Sequence, residues 1–228
     1  MYICLNKRQN GGIKLDIDRR IKIIMDKMEK LQEKDPEFPC GEFPPEWNKP
    51  VKEERVAKFE EKYGIKLPED YRRFITTVAD GGSQPFYGFY SLSEGRRADY
   101  PDNVDISGKF PCTVRKPFDI YKVSDEEYDE LAGDKYSGFL FLCHEGCGMY
   151  SILVVNSDDK DTYGTVWYYD FANDAGMFPL INPVTGKTMD FLDWLEYYAD
   201  KTYGLEDDDF FSYGEIAGYL PGTEPGQD

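Results

Sequence analysis

Between Trp47 and Gly82 the chain reads WNKPVKEERVAKFEEKYGIKLPEDYRRFITTVADGG, and this stretch constrains the fold more than any other. Val56, Phe59 and Tyr63 share one face of a predicted helix, three and then four residues apart. Gly64 stops that helix. Pro68 suits the start of a second, because its φ is already fixed and a first-turn N–H would have no helical partner. Glu69 and Asp70 add negative charge where the helix dipole favours it. Tyr71, Phe74, Ile75 and Val78 then repeat at i, i+3, i+4 and i+7, and Gly81-Gly82 is expected to end the run. Every local signal agrees with its neighbours, and none of these residues forms a catalytic pattern.

Upstream, Ile17, Ile21, Ile24, Met28 and Leu31 are spaced 4, 3, 4, 3 within a predicted helix over 14–34. Two heptads are marginal alone, so this seam is expected to dock on the main domain. Pro36, Pro39, Pro44 and Pro45 make the next segment an extended linker. Downstream, the aromatic run GSQPFYGFYSL predicts a strand, and residues 93–118 read as a long loop. Ser124 with Glu127 forms a capping-box pattern that opens a short helix. FLFLC (139–143), MYSILVV (149–155) and TVWYY (165–169) predict three strands in an antiparallel meander. Phe191, Trp194, Leu195 and Tyr198 mark a last helix, capped near Thr188 or Asp190.

This order predicts an α+β fold, a mostly antiparallel sheet with helices packed on one face, plus an N-terminal helical extension. The expected division is 1–46 for the amphipathic helix and linker, 47–202 for the α+β domain, and 203–228 for an acidic C-terminal tail that keeps Phe210, Phe211 and Tyr213.

The 228 residues carry 27 Lys and Arg against 44 Asp and Glu, a net charge of −17. Residues 1–35 hold +3, residues 36–202 hold −13 and residues 203–228 hold −7. Direct binding to nucleic acid or to an anionic membrane needs a positive footprint, which this balance argues against. No apolar run approaches the ~18–20 residues that span a bilayer, and the opening residues do not form a secretory signal. Five cysteines, an odd number and mostly far apart, read as reduced thiols in a cytoplasmic protein.

The segment CHEGC holds the one cluster with metal-ligating residue types: Cys143, His144 and Cys147. A structural zinc wants four ligands, and adjacent strand residues such as Cys143 and His144 point to opposite faces. The plainer reading ends a buried strand at Cys143, puts His144 and Glu145 in a surface turn, and packs Cys147 beneath it. His144 is the only histidine, which excludes two-histidine metal sites within this chain. Asp170 and Asp174, after the TVWYY strand, are the carboxylates best placed for acid–base work, although solvated turn acids are the commoner outcome. No phosphate-cradling or dinucleotide fingerprint is present.

With these segments in order, the chain resembles the SUKH superfamily, which holds bacterial toxin-immunity proteins and fungal cell-wall-synthesis regulators. The resemblance rests on VAKFEEKYGIKLPEDYRRFITTVADGG, PFYGFYSL, FLFLCHEGCGMYSILVV, YGTVWYYD and MDFLDWLEYY, over about residues 47–202. It implies a binding protein with no catalytic residues, cofactor or metal, which neutralises a cognate polymorphic or contact-dependent toxin. Many such toxins are nucleases or deaminases with basic clefts, and an acidic inhibitor would complement them. The expected partner surface is Tyr87, Tyr90, His144, Glu145, Trp167 and Asp170. Two other readings stand beside this one. One is a cytosolic scaffold or regulator using the same fold for endogenous partners. The other is a hydrolase using cleft carboxylates such as Asp170, Asp174 and Glu145.

Overall fold

The computed structural model describes residues 16–34, 46–96, 104–132, 137–204 and 211–223. The three apolar runs form strands β2 (Phe139–Gly146), β3 (Met149–Val154) and β4 (Val166–Asp170), paired antiparallel as a meander. Two strands not anticipated from the sequence, β1 (Phe118–Asp119) and β5 (Gly176–Pro179), complete a five-stranded antiparallel sheet in the order β1-β5-β4-β3-β2. Two and four residues are too few to display a period.

Both faces of the sheet are buried, which explains why the central strands read as nearly unbroken apolar runs. Leu140, Leu142, Leu153, Val166 and Tyr168 join the core on one face. That face is covered by α1 (Ile17–Lys34), α2 (Glu53–Tyr63), α3 (Glu69–Thr77) and α5 (Phe191–Gly204). Phe139, Phe141, Ile152, Val154, Trp167 and Tyr169 face the other way, against Val104, Phe110, Cys112, Val114 and Phe118 from the long loop. The loop is therefore a second lid on the sheet. The fold is α+β with its principal helices gathered on one face.

The helices obey the signals in their sequences. Gly64 closes α2 in the left-handed conformation at φ 64°. Pro68 stands just before α3, and the buried carboxylate of Asp70 accepts from the backbone N–H of Tyr71 (2.9 Å) and of Leu192 (3.2 Å). Asp70 thus caps the first turn of α5 as well as opening its own helix. α3 ends at Thr77, short of the glycine pair; Gly82 bridges Trp47 and Phe89 instead. Asp190 caps α5 by accepting from Asp193 N–H (2.7 Å). The Ser124–Glu127 box closes in both directions at the start of α4 (Asp125–Ala132).

The N-terminal helix docks through Ile21, Ile24 and Met28 onto α3 and α5. The side chain of Leu31 lies outside the described residues.

Three expectations need correction. The aromatic segment 85–92 is not a strand, because Phe86 (φ 50°) and Gly88 (φ 124°) fold it into turns. Phe89 is left with isolated bridges to Gly82 and Cys143, and Tyr90 N–H donates to the carbonyl of Leu142 (2.8 Å). Second, the C-terminal segment from residue 211 packs on the core rather than forming only an acidic tail: Phe211 and Tyr213 are buried, and Ile181 N–H donates to the carbonyl of Ile216 (2.8 Å). Phe210 lies outside the described residues. Third, His144 and Glu145 do not form a surface turn, because β2 continues to Gly146.

Candidate functional site

An irregularity in β2 decides where the CHEGC side chains point. Phe141 pairs with Ile152 and Cys143 pairs with Ser151, so Leu142 is an extra residue, a β-bulge. A bulge shifts the two-residue alternation by one position. Leu142 and Cys143 therefore both face the helices, His144 turns to the opposite face, and Glu145 returns toward the helices.

On the outer side, His144 lies between two tyrosines. Its ring stacks on Tyr150 (4.7 Å between centroids) and sits 5.6 Å from Tyr87, which is 76% exposed. Tyr87 lies over Gly146, where an added Cβ would come within 3.0 Å of the ring. Beside it, Cys147 is exposed and holds φ 50°, an uncommon conformation for a residue with a side chain. Asn173 ties this turn to the next by donating to the carbonyl of Cys147 (3.3 Å) and to Asp170 Oδ1 (2.8 Å). The result is an exposed aromatic ring on a braced support.

Glu145 is 3% exposed, buried among Ser151, Ser212 and Tyr213. Its Oε1 accepts from Ser151 Oγ (2.8 Å), and its Oε2 accepts from Tyr213 N–H (3.2 Å) and Ser212 Oγ (3.4 Å). Ser151 Oγ in turn accepts from the indole N–H of Trp194 (3.1 Å). Burial raises the carboxyl to about 7, because hydrogen bonds from these donors only partly offset the loss of water, and nearby Asp170 adds repulsion. A carboxyl near neutrality suits a general acid. Here, however, both oxygens are engaged inside the core, and the group holds the C-terminal segment to the sheet.

The six residues expected at the partner surface thus divide. Tyr87 and His144 come together at the surface. Glu145 and Asp170 lie inside, Asp170 accepting from Asn173 N–H (2.9 Å) at the end of β4. Tyr90 is partly buried against the second core. Trp167 is fully buried, its indole donating to Thr165 Oγ1 (2.8 Å) and its ring 4.9 Å from Phe110. Asp174, unlike Asp170, is exposed. Ser151, Ser212, Tyr213 and Asn173 belong to this network without being marked by any motif in the sequence. Ser151, a lone polar residue inside the run MYSILVV, was the available signal for a buried polar partner.

Cys143 is buried on the helix side, with its thiol raised by burial, while Cys147 is exposed at the turn. Among the described residues, no group of three or more His, Cys, Asp or Glu is arranged to hold a metal ion. Among the same residues, no helix is long and apolar enough to cross a membrane.

A two-sided antiparallel sheet, helices over one face and a braced aromatic turn at one end define a small α+β domain. The profile of the SMI1 / KNR4 family (SUKH-1) matches residues 50–213, and the chain belongs to this family. The matched span reaches Tyr213, whose backbone N–H the carboxylate of Glu145 accepts. No curated protein matches the sequence.

Proposed function

We propose that this chain is a non-enzymatic, cytoplasmic immunity protein that binds a cognate toxin with a basic surface and occludes its working site. Membership of the SUKH-1 family over residues 50–213 carries this reading. The charge of −13 over residues 36–202 supports it, since opposite charge accelerates encounter and orients the partners.

The contact face centres on Tyr87 and His144. Tyrosine supplies a large rigid surface with a polar tip and is favoured at interface hot spots. Glu145 and Asp170 act from beneath as positioning residues, Asp170 bracing the Cys147 turn through Asn173, while Tyr90 and Trp167 support the face from the second core. A nuclease or deaminase, with a cleft shaped for phosphates, is the toxin class that fits an acidic inhibitor.

The test is co-expression with effector domains encoded beside this gene. Rescue of growth and a purified complex are expected with one of them. If the whole set gives neither rescue nor complex, the reading is wrong.

A further inference from the structure

Helix α1 meets the rest of the protein through matched charges as much as through apolar contact. Arg20 bonds Asp190 (2.9 Å) and Asp193 (2.8 Å), Lys27 reaches Glu196 (3.8 Å) and Asp200, and Asp18 pairs with Arg73 (2.6 Å). Arg20 and Lys27 are seven residues apart, so they lie two turns apart along one face. Asp190, Asp193, Glu196 and Asp200 form an acidic stripe along α5 with helical spacing. Between these charged rails, Ile21, Ile24 and Met28 fill the groove over α3 and α5.

Three further observations set α1 apart. The family match begins at residue 50, so α1 lies outside it. Beside its first turn an open cleft of about 310 Å³, spanned by the Asp18–Arg73 pair, separates Asp16 and Ile17 from Glu53, Glu69 and Arg72. Arg20 is buried with its Nε unpartnered, a poor fit for a permanently sealed ion pair. In sequence, residues 35–45 join α1 to the domain and include four prolines, a reach of at most about 40 Å.

We propose that the α3–α5 groove is a docking site for basic amphipathic helices and that α1 occupies it in cis as a salt-sensitive latch. A partner helix with an Ile/Met seam and two basic residues seven apart replaces α1 by matching the same stripe. The ion pairs of Arg20 and Lys27 in α1 run to Asp190, Asp193, Glu196 and Asp200 and not to Tyr87 or His144, and the proposal stands whether or not a toxin is the partner.

The probe is a fluorescent peptide of residues 16–34, titrated into the full chain and into a full chain carrying Arg20→Glu and Lys27→Glu. The tethered helix competes at an effective concentration in the millimolar range, so wild type binds the peptide weakly. The double variant, whose own latch is repelled, is expected to bind it at least about tenfold tighter. Binding should weaken as salt rises from about 0.05 M to about 0.5 M. No gain in the double variant, with its circular dichroism unchanged, overturns the proposal. Should the variant not fold, hydrogen exchange on the wild-type chain decides. Exchange of α1 amides ahead of those of α3 and α5, faster at high salt, supports the latch; exchange only together with them overturns it.

Discussion

The carboxylate of Glu145 accepts a hydrogen bond from the backbone N–H of Tyr213, joining strand β2 to a segment 68 residues further along the chain. One buried acid thereby closes the polypeptide onto its own sheet, next to His144 in β2, whose ring meets Tyr87 on the outer side.

That acid makes stability depend on pH. Burial raises Glu145 from 4.5 to about 7, so the folded chain binds its proton more tightly than the unfolded chain does. Its stabilising contribution is full below about pH 4.5 and is lost as pH rises through about 7. The full span is on the order of 3 kcal/mol. Glu145→Gln keeps an acceptor for Tyr213 N–H and removes the titration. The variant should exceed wild type in stability at pH 8 and lose that advantage by pH 5, as read by urea unfolding at both values. Parallel pH profiles for the two proteins would show that Glu145 does not titrate in this window.

Asp70 ties α3 to α5 through Leu192 N–H, and no other described acid caps both helices in this way. Asp70→Ala leaves two buried N–H groups without that acceptor and should cost about 2–4 kcal/mol. Burial raises Asp70 to about 6, with repulsion from Asp190 adding to it. Asp70→Asn should therefore be milder than Asp70→Ala at neutral pH, because it keeps one acceptor and removes a charge that is costly to bury. Chemical denaturation of the two variants checks the order.

Gly176 begins β5 at φ 121°, where a Cβ would fall 2.0 Å from the carbonyl oxygen of Phe118. Gly176→Ala must push β1 away from β5 as well as strain its own backbone. A loss of more than about 2 kcal/mol is expected, whereas Gly186→Ala, with open space around it, should pay only the conformational penalty. Thermal unfolding of the pair separates steric from conformational cost.

Tyr87 and Trp167 should behave oppositely. Tyr87→Ala removes an exposed ring and should change folding stability by less than about 0.5 kcal/mol. Its effect on partner affinity should be about 2 kcal/mol or more. Trp167→Ala empties the second core and should cost about 3–5 kcal/mol of stability.

Much of this architecture was legible in the residues. Helices α2, α3 and α5 carry strong periodicity and capping signals, and β2, β3 and β4 are long enough to stand out. β1 and β5 are not, since their identity comes from pairing with each other and with β4 rather than from local pattern. The site was less legible for a specific reason. Alternation along FLFLCHEG fails at the bulge at Leu142, so facing inferred from the strand start comes out inverted at His144 and Glu145. The C-terminal return was hidden by composition: acidic and glycine-rich residues surround Phe211 and Tyr213, yet these two aromatics decide where the segment goes.

In the proposed function, this acidic domain silences a basic protein partner by binding it through the Tyr87 face. Calorimetric titration of the full chain into candidate toxin domains from neighbouring genes tests this directly, with toxin activity assayed on the same samples. A saturable one-to-one complex, abolished toxin activity, affinity that falls as salt rises, and a marked loss of affinity in Tyr87→Ala are expected. Undiminished toxin activity with no heat of binding would contradict it.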